Sequence, residues 1–322
     1  MVSPRRRDRT RGDAGRQSGL PPHGTRTPGQ STVKIGLILG VVAVSSSPIL
    51  VRAGHLPALA LAFWRCLAGA VVLAPFALGG RAGVPLAARE ARRLVLAGVL
   101  LAVHFALFNA SLSFTTVASS AVLVTCSPLF VGVGAWLAGE PPSRRAWLGI
   151  LVAAAGAVVV GLGDAGAVVL GPRALLGDAM AFAGAAAIAG YLLIGRSARQ
   201  RLPLATYAAS VYGTAAAVLL PACLLTGARL GGYRAGSWLV LAGIVVGPQL
   251  LGHTVFNGLL STVSATTVAV VILTEPVGAT LLAWILFGEV PAAWFWLGAP
   301  LVLAGVWLAA SRGAATDGSL GG

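Results

Sequence analysis

The stretch from Thr274 to Glu289 reads TEPVGATLLAWILFGE, an apolar run with one carboxylate, Glu275, inside it and another, Glu289, at its end. A related stretch, SPLF followed by AWLAGE, begins at Ser127 and ends at Glu140. Three pairs match at nearly constant spacing, namely Pro128 with Pro276 (148 positions), Trp136 with Trp284 (148) and Glu140 with Glu289 (149). The spacing predicts two copies of one unit, of which only the second has a carboxylate inside the apolar run.

The composition predicts that most of the chain is surrounded by lipid. Hydrophobic residues make up 57% of the 322 residues, charged residues make up 10%, and the mean hydropathy is +0.87. A soluble domain of this length could not bury so much apolar surface. The net charge of +14 lies in a tail and in short connections rather than on a basic face, so no nucleic-acid partner is predicted. The three cysteines lie in apolar runs without ligand spacing, and neither a metal site nor a cofactor is predicted.

Ten apolar runs are long enough to cross a bilayer as helices. They lie at about 33–51, 57–78, 94–115, 118–138, 145–163, 174–195, 205–226, 236–258, 264–287 and 293–311. The runs are continuously apolar and do not alternate, which favours helices over the strands of a barrel. The sequence therefore predicts an all-α membrane protein with ten transmembrane helices and the lipid bilayer as its surroundings.

The positions of the basic residues predict the orientation. With the N-terminus inside, the cytoplasmic segments carry 18 Lys and Arg residues and the outer segments carry 4, while Arg65 lies within a span. Basic residues concentrate in cytoplasmic segments of membrane proteins. Both termini are therefore predicted to be cytoplasmic, with a disordered Arg-rich tail at 1–31 and a short tail at 312–322. The expected location is the cell inner membrane.

The repeat predicts two units, at 32–163 and 174–311, joined by an extracytoplasmic linker at 164–173. Each unit has five spans, and because five is odd the second unit must be upside down relative to the first. The loop after Glu140 contains two arginines, whereas the corresponding loop after Glu289 contains none. This pattern predicts an inverted-topology repeat around a central cavity, an architecture that supports alternating access.

The chain resembles the EamA-domain family of the drug/metabolite transporter superfamily. The resemblance covers about residues 33–311 and depends on FWR at 63–65, the SPLF and AWLAGE motifs at 127–140, LG at 148–149, the second copy at 273–289, and LG at 297–298. It implies ten helices in two inverted five-helix units. It also implies transport of small metabolites, amino acids or drugs across the inner membrane, often outwards, and it does not fix a substrate.

Glu275 is the one acidic residue predicted near the middle of a span. A carboxylate at bilayer depth is costly and usually faces a cavity or a partner. It predicts a site for a proton or a cationic substrate, which makes H+ a candidate coupling ion. The alternative is a fixed carboxylate that hydrogen-bonds to backbone groups freed by Pro276.

Arg65 is the one basic residue well inside a predicted span, and its counterpart in the second unit is Val211. A guanidinium group can bind a carboxylate substrate with two parallel hydrogen bonds. Two alternatives are open: a structural salt bridge with Glu275, or a side chain that reaches out to the membrane surface.

Further polar residues lie in the third and eighth spans, where they predict either hydrogen bonds between packed helices, worth about 1 kcal/mol or less, or the lining of a cavity. Gln249 is one of these residues. The residues predicted to bind or translocate a substrate are Glu275, Arg65, His104, Asn109, His253, Asn257, Trp64 and Tyr191. Pro48, Pro128 and Pro276 are predicted to kink their spans, either as hinges or as static features that shape the cavity.

The function predicted from these features is secondary transport of small metabolites, such as amino acids or related organic solutes, with export by alternating access. Proton-coupled multidrug efflux is the alternative, with a cavity formed by Trp64, Tyr191, Phe256 and Glu275. An enzyme is not predicted, because a membrane-embedded active site would need clustered acidic or histidine residues. The oligomeric state is left open.

Overall fold

A computed structural model describes residues 30–79, 87–111, 113–115, 120, 123–164, 171–288 and 290–310. Most of the predicted tails, most of the linker at 164–173 and Glu289 lie outside these ranges. Every regular element within them is a helix, which is the expected result for continuously apolar segments, because a helix satisfies its own backbone groups in lipid.

Thirteen α-helices and one π-helix lie in the described ranges. They are α1 Gln30–Ser45, α2 Ser47–Gly54, α3 Ala58–Gly79, α4 Ala88–Ser111, α5 Ser127–Leu137, α6 Arg144–Asp164, α7 Pro172–Arg199, α8 Leu204–Leu225, α9 Ala235–Ile244, the π-helix Val245–Thr254, α10 Val255–Leu259, α11 Ala265–Ile272, α12 Glu275–Phe287 and α13 Ala293–Ala310.

Nine helical segments in the described ranges are long and apolar enough to cross a membrane. They correspond to nine of the ten predicted spans; the remaining span, at 118–138, contains the shorter apolar helix α5 and several residues outside the description. The first predicted span consists of α1 and α2, the eighth of α9, the π-helix and α10, and the ninth of α11 and α12. The description therefore supports a multi-pass membrane protein.

Three spans are interrupted in the same way. Helices α2, α5 and α12 each have proline as their second residue, at Pro48, Pro128 and Pro276. A tight turn precedes each of these helices, with backbone hydrogen bonds of 3.3, 3.1 and 3.0 Å between a residue's N–H and the carbonyl three positions earlier. Proline suits the first turn of a helix because its missing N–H would have no helical acceptor there. Each proline thus begins a new helix after a one-turn interruption of its span.

The closest backbone packing joins α6 to α13. A Cβ atom added to Gly149 or Gly156 would lie 2.5 Å from backbone atoms of α13, and one added to Gly298 or Gly305 would lie 2.6 or 2.3 Å from backbone atoms of α6. Small residues let membrane helices approach until their backbones touch. Gly149 faces Gly305 and Gly156 faces Gly298, so the two helices are antiparallel. We call these four residues the glycine seam.

The other large helix contacts also join elements that are distant in sequence. Helix α3 packs on α8, α4 on α7 and on α8, α1 on the π-helix, α5 on α7, and α12 on α1. Contacts of Gly184 with His104, Gly190 with Leu100, Gly40 with Phe256 and Gly252 with Val44 show that α4 and α7, and likewise α1 and the eighth span, are antiparallel. The main hydrophobic core lies among α3, α4, α7 and α8, and a smaller core lies between α6, α11, α12 and α13.

Candidate functional site

Arg65 lies on α3, and its side chain is only 5% exposed. Its Nε–H donates a hydrogen bond of 2.7 Å to Oε1 of Gln249, which lies on the π-helix and is fully buried. The guanidinium carbon lies 4.7 Å from the centre of the Phe105 ring on α4. Arg65 therefore points into the protein and joins an element of the first half of the chain to one of the second half.

The π-helix and a glycine bring Gln249 to Arg65. Pro248 removes one backbone donor from this segment, and wide π turns change the direction in which the side chains point. Gly69 lies one turn after Arg65 on α3, and a Cβ atom there would lie 3.2 Å from Cγ of Gln249 and 3.1 Å from the ring of Tyr212. The glycine leaves room for Gln249 between α3 and α8. Gln249 is the functional candidate that the sequence-based site omitted.

Glu275 is the first residue of α12 and is half-buried. A carboxylate at this position interacts favourably with the positive end of the helix dipole. Glu275 and Arg65 lie near enough for their charges to interact, but they form no ion pair in the described part of the chain. Of the three alternatives for Arg65, the structural salt bridge with Glu275 and the outward-reaching side chain are therefore not observed.

The two predicted histidines lie near Arg65. Nδ1 of His104 is 2.9 Å from the carbonyl oxygen of Gly184, and since a carbonyl only accepts, Nδ1 must carry a proton and donate it. His253 packs edge-on against Phe105, with ring centres 6.1 Å apart, so Arg65 and His253 contact the same ring. We call Arg65, Gln249, Glu275, His104 and His253 the polar cluster.

Asn257 and Tyr191 belong to a second buried network, which reaches the backbone carbonyl of Gln249 through the hydroxyl of Thr254 at 3.0 Å. The hydroxyl of Tyr191 donates to Oδ1 of Asn257 at 2.6 Å, and Nδ2 of Asn257 donates to the hydroxyl of Tyr212 at 3.1 Å. That hydroxyl is also 3.1 Å from Oγ1 of Thr254. The predicted site residues Asn257 and Tyr191 therefore hydrogen-bond to neighbouring helices and are 1% exposed.

The polar groups of Trp64 and Asn109 are bound to backbone carbonyls. Nε1 of Trp64 donates to the carbonyl oxygen of Leu230 at 3.0 Å, and the indole packs edge-on against Trp238. Nδ2 of Asn109 donates to the carbonyl oxygen of Ala58 at 3.1 Å. Both side chains thus connect a span to the end of a neighbouring element.

The interactions of Arg65 compensate only part of the cost of its burial. A hydrogen bond to a charged group contributes about 1.5–3 kcal/mol, and a desolvated cation–π contact contributes about 2 kcal/mol. Removing an ion from water costs several kcal/mol even after relaxation of the protein. Nη2 of Arg65 and Nε2 of Gln249 are both buried and have no hydrogen-bond partner in the described ranges. The polar cluster is therefore under-compensated, a state that proteins retain mainly at functional sites.

A cavity of about 480 Å³ lies at one end of the bundle, where the α5–α6 connection, the end of α7 and the Ser264–Thr267 segment meet. Arg196 and Glu140 approach to 3.9 Å in its lining, and Nη1 of Arg196 donates to the carbonyl oxygen of Leu260 at 2.9 Å. Their side chains are 21% and 57% exposed, so solvent screens this pair and it adds little stability. The cavity does not include the polar cluster.

Comparison with known proteins identifies the fold and the family. A crystal structure described only as "Crystal structure of protein" has a TM-score of 0.74 and 18% sequence identity, and the alignment covers 88% of this chain and 98% of that one. No curated protein sequence matches this chain significantly. The profile of the EamA-like transporter family matches residues 32–162 and 175–311. The expected resemblance is therefore confirmed: the chain is a multi-pass membrane protein and belongs to the EamA-like transporter family.

Proposed function

We propose that this protein is a secondary transporter that exports small organic solutes, such as amino acids, across the cytoplasmic membrane by alternating access. The observation that carries the proposal is the position of the polar cluster. Arg65 and His104 belong to the first half of the chain, Gln249, His253 and Glu275 belong to the second, and the under-compensated charge lies where the halves meet. A solute bound there would contact both halves, so relative movement of the halves would change the side from which it is reached.

The helix contacts support an inverted repeat with units at 32–163 and 174–311. The counterpart of each span is the span five positions away in the chain. Replacing spans by their counterparts converts the contact of α1 (span one) with the π-helix (span eight) into the contact of α7 (span six) with α4 (span three). The same exchange turns the contact of α5 with α7 into that of α12 with α1, and it leaves the α3–α8 and α6–α13 contacts unchanged. Such a pattern is expected of two units related by a pseudo-two-fold axis.

The interrupted helices support movement about this axis. Breaks before α5 and α12 lie at matched positions of the two units, and a third break separates α1 from α2. Each break removes regular helical hydrogen bonds, so the two parts of a span can change direction at small cost. In this proposal Pro128, Pro276 and Pro48 mark the hinges.

The excess of basic residues in alternate connections supports cytoplasmic termini, and it assigns the end of the bundle with Glu140 and Arg196 to the cytoplasm. Glu275 is the proposed proton carrier, with H+ as the coupling ion. Multidrug efflux has less support, because the aromatic residues expected around Glu275 have other contacts: Trp64 is bound to Leu230, Tyr191 to Asn257, and Phe256 lies against Gly40.

The proposal is tested by reconstituting the purified protein in liposomes and measuring uptake of amino acids, organic acids, sugars and lipophilic cations, with and without an imposed pH gradient. We expect uptake of at least one organic solute, with the gradient increasing its accumulation. Failure of all four classes to cross would contradict the transporter proposal, and preferential uptake of lipophilic cations would favour multidrug efflux.

A further inference from the structure

We propose that Arg65 and Gln249 together form a receptor for the carboxylate group of the transported solute. The inference rests on the proposed function and specifies the chemical class of the substrate. The two side chains meet across the boundary between the halves, and each retains a buried N–H donor without a partner in the described ranges, on Nη2 of Arg65 and on Nε2 of Gln249.

The hydrogen bond between these residues fixes the orientation of the glutamine amide. The guanidinium group of Arg65 can only donate, so the amide atom that lies 2.7 Å from its Nε must be the oxygen. The two N–H donors of the amide are therefore on the other atom, Nε2. Because Gln249 is fully buried, water in bulk does not reach Nε2. Gln249 thus presents donors, and no acceptor, to any group that approaches beside Arg65.

In the ranges that the structure describes, no carboxylate lies at ion-pair distance from the guanidinium group. Within these ranges the salt bridge joins Arg196 to Glu140 at the end of the bundle, and Glu275 interacts with Arg65 only at longer range. The Phe105 ring covers one face of the guanidinium group at 4.7 Å, and the buried N–H groups that lack a partner are those of Nη2 at its edge. An anion at this edge would supply the missing charge and accept hydrogen bonds that are now unmade.

The number of donors and the net charge favour a carboxylate over other anions. A carboxylate has two oxygen atoms in one plane and one negative charge, which matches one hydrogen bond from each side chain and the single positive charge of Arg65. A phosphate group carries more charge, and the nearby carboxylate of Glu275 would oppose it. Glu275 would instead attract an amino group on the same solute, so an amino acid satisfies both charged residues.

The test measures binding to the purified full-length protein in detergent by isothermal titration calorimetry. The probes are the twenty L-amino acids and the straight-chain carboxylic acids from acetate to hexanoate, each paired with its primary amide. We expect at least one acid to bind, and its amide to bind about 100-fold more weakly, because a site built for hydrogen bonds to a group discriminates strongly against an analogue that lacks it.

Two variants of Gln249 assign the donor. Gln249→Glu keeps an oxygen acceptor for Arg65 but replaces the N–H donors with a negative charge, and Gln249→Met removes both groups with little change in volume. We expect each to weaken binding of the acid by about tenfold or more, the effect of losing a hydrogen bond to a charged group. Tyr207→Phe removes a buried hydroxyl that lies outside the polar cluster, and it serves as the matched control with unchanged affinity.

Three results would overturn the receptor: no acid binds the wild-type protein, an acid and its amide bind equally, or both folded Gln249 variants keep wild-type affinity. These results are distinct from failure of the proposed function. Binding of an acid without flux in liposomes would contradict the proposed transport but agree with the proposed carboxylate receptor. Flux of amines or neutral solutes without acid binding would contradict the receptor and leave transport standing.

Discussion

Two of the interfaces between the halves of the chain have opposite chemistry. In the glycine seam, α6 and α13 contact through backbone atoms, and there is no room for a side chain at the four glycines. In the polar cluster, α3 and the π-helix bring together a guanidinium group and an amide whose hydrogen bonds are incomplete, and α12 places a carboxylate near them. The seam is optimised for close packing, whereas the cluster retains the energetic cost of buried polar groups without hydrogen-bond partners, which packing does not require. This difference separates a structural interface from a functional one, and substitutions in the two interfaces should have different effects.

The largest effect is expected for Glu275→Gln. The amide has nearly the shape of the carboxylate but cannot take up and release a proton near neutral pH. Solute-driven proton movement should therefore be abolished. The readout is a pH-sensitive dye inside proteoliposomes, and expression should be unchanged. Glu140→Gln, which alters an exposed carboxylate at the end of the bundle, should retain coupling. Wild-type proton movement in Glu275→Gln would remove Glu275 from the mechanism.

Arg65→Lys should lower uptake of the solute by about 30-fold, because lysine keeps the charge but loses the planar donors that orient both Gln249 and a carboxylate. The measurement is the initial rate of uptake by proteoliposomes of equal protein content. Arg173→Lys, at the exposed start of α7, is the control and should keep the wild-type rate. Equal rates for Arg65→Lys and the wild type would mean that Arg65 acts only as a buried charge.

Gly305→Ala should lower the free energy of unfolding by about 2 kcal/mol through overpacking of the seam. The added methyl group would lie 2.3 Å from the backbone nitrogen of Ala153, and backbone atoms in a packed helix pair cannot move aside easily. Gly236→Ala is the matched control, since a Cβ atom there meets nothing within 4 Å. The measurement is reversible unfolding in mixed micelles. Equal stability of the two variants would show that the seam is looser than described.

Tyr191→Phe should give the smallest effect, a loss of about 1 kcal/mol in the free energy of unfolding, with the uptake rate maintained. The substitution removes the 2.6 Å hydrogen bond to Asn257 in the buried network but leaves the polar cluster intact. The same unfolding and uptake assays apply. A large loss of uptake with normal stability would move Tyr191 from the structural network into the transport site.

Much of the fold follows from the sequence, because apolar runs of bilayer length leave few alternatives to helices. The matched motifs at Pro128 and Pro276 indicated two related units, and the match to the EamA-like family covers both. The breaks at these prolines were not foreseen. A proline inside an apolar run predicts a kink or a break equally well, and the choice depends on whether neighbouring turns, such as the one that ends at Thr274, satisfy the backbone.

The candidate site was predictable only in part. Arg65 and Glu275 could be identified because an ionisable residue in a long apolar run is conspicuous. The partner of Arg65 could not, since its position depends on a π-helix that shifts the direction of Gln249 relative to a regular helix. Pro248, directly before Gln249, was the available signal. The glycine seam was visible as matched Gly149 and Gly298, but sequence alone did not show which helices it joins.

The central claim, that the polar cluster holds the solute while access alternates between the two sides, is tested most directly by solute exchange. Labelled solute is added outside proteoliposomes that contain either buffer or unlabelled solute, and its entry rate is measured for the wild type and for Arg65→Lys. An alternating-access site predicts severalfold faster entry when unlabelled solute is inside, and loss of this acceleration in Arg65→Lys. Entry at the same rate with and without internal solute, or acceleration that persists in Arg65→Lys, would contradict the account.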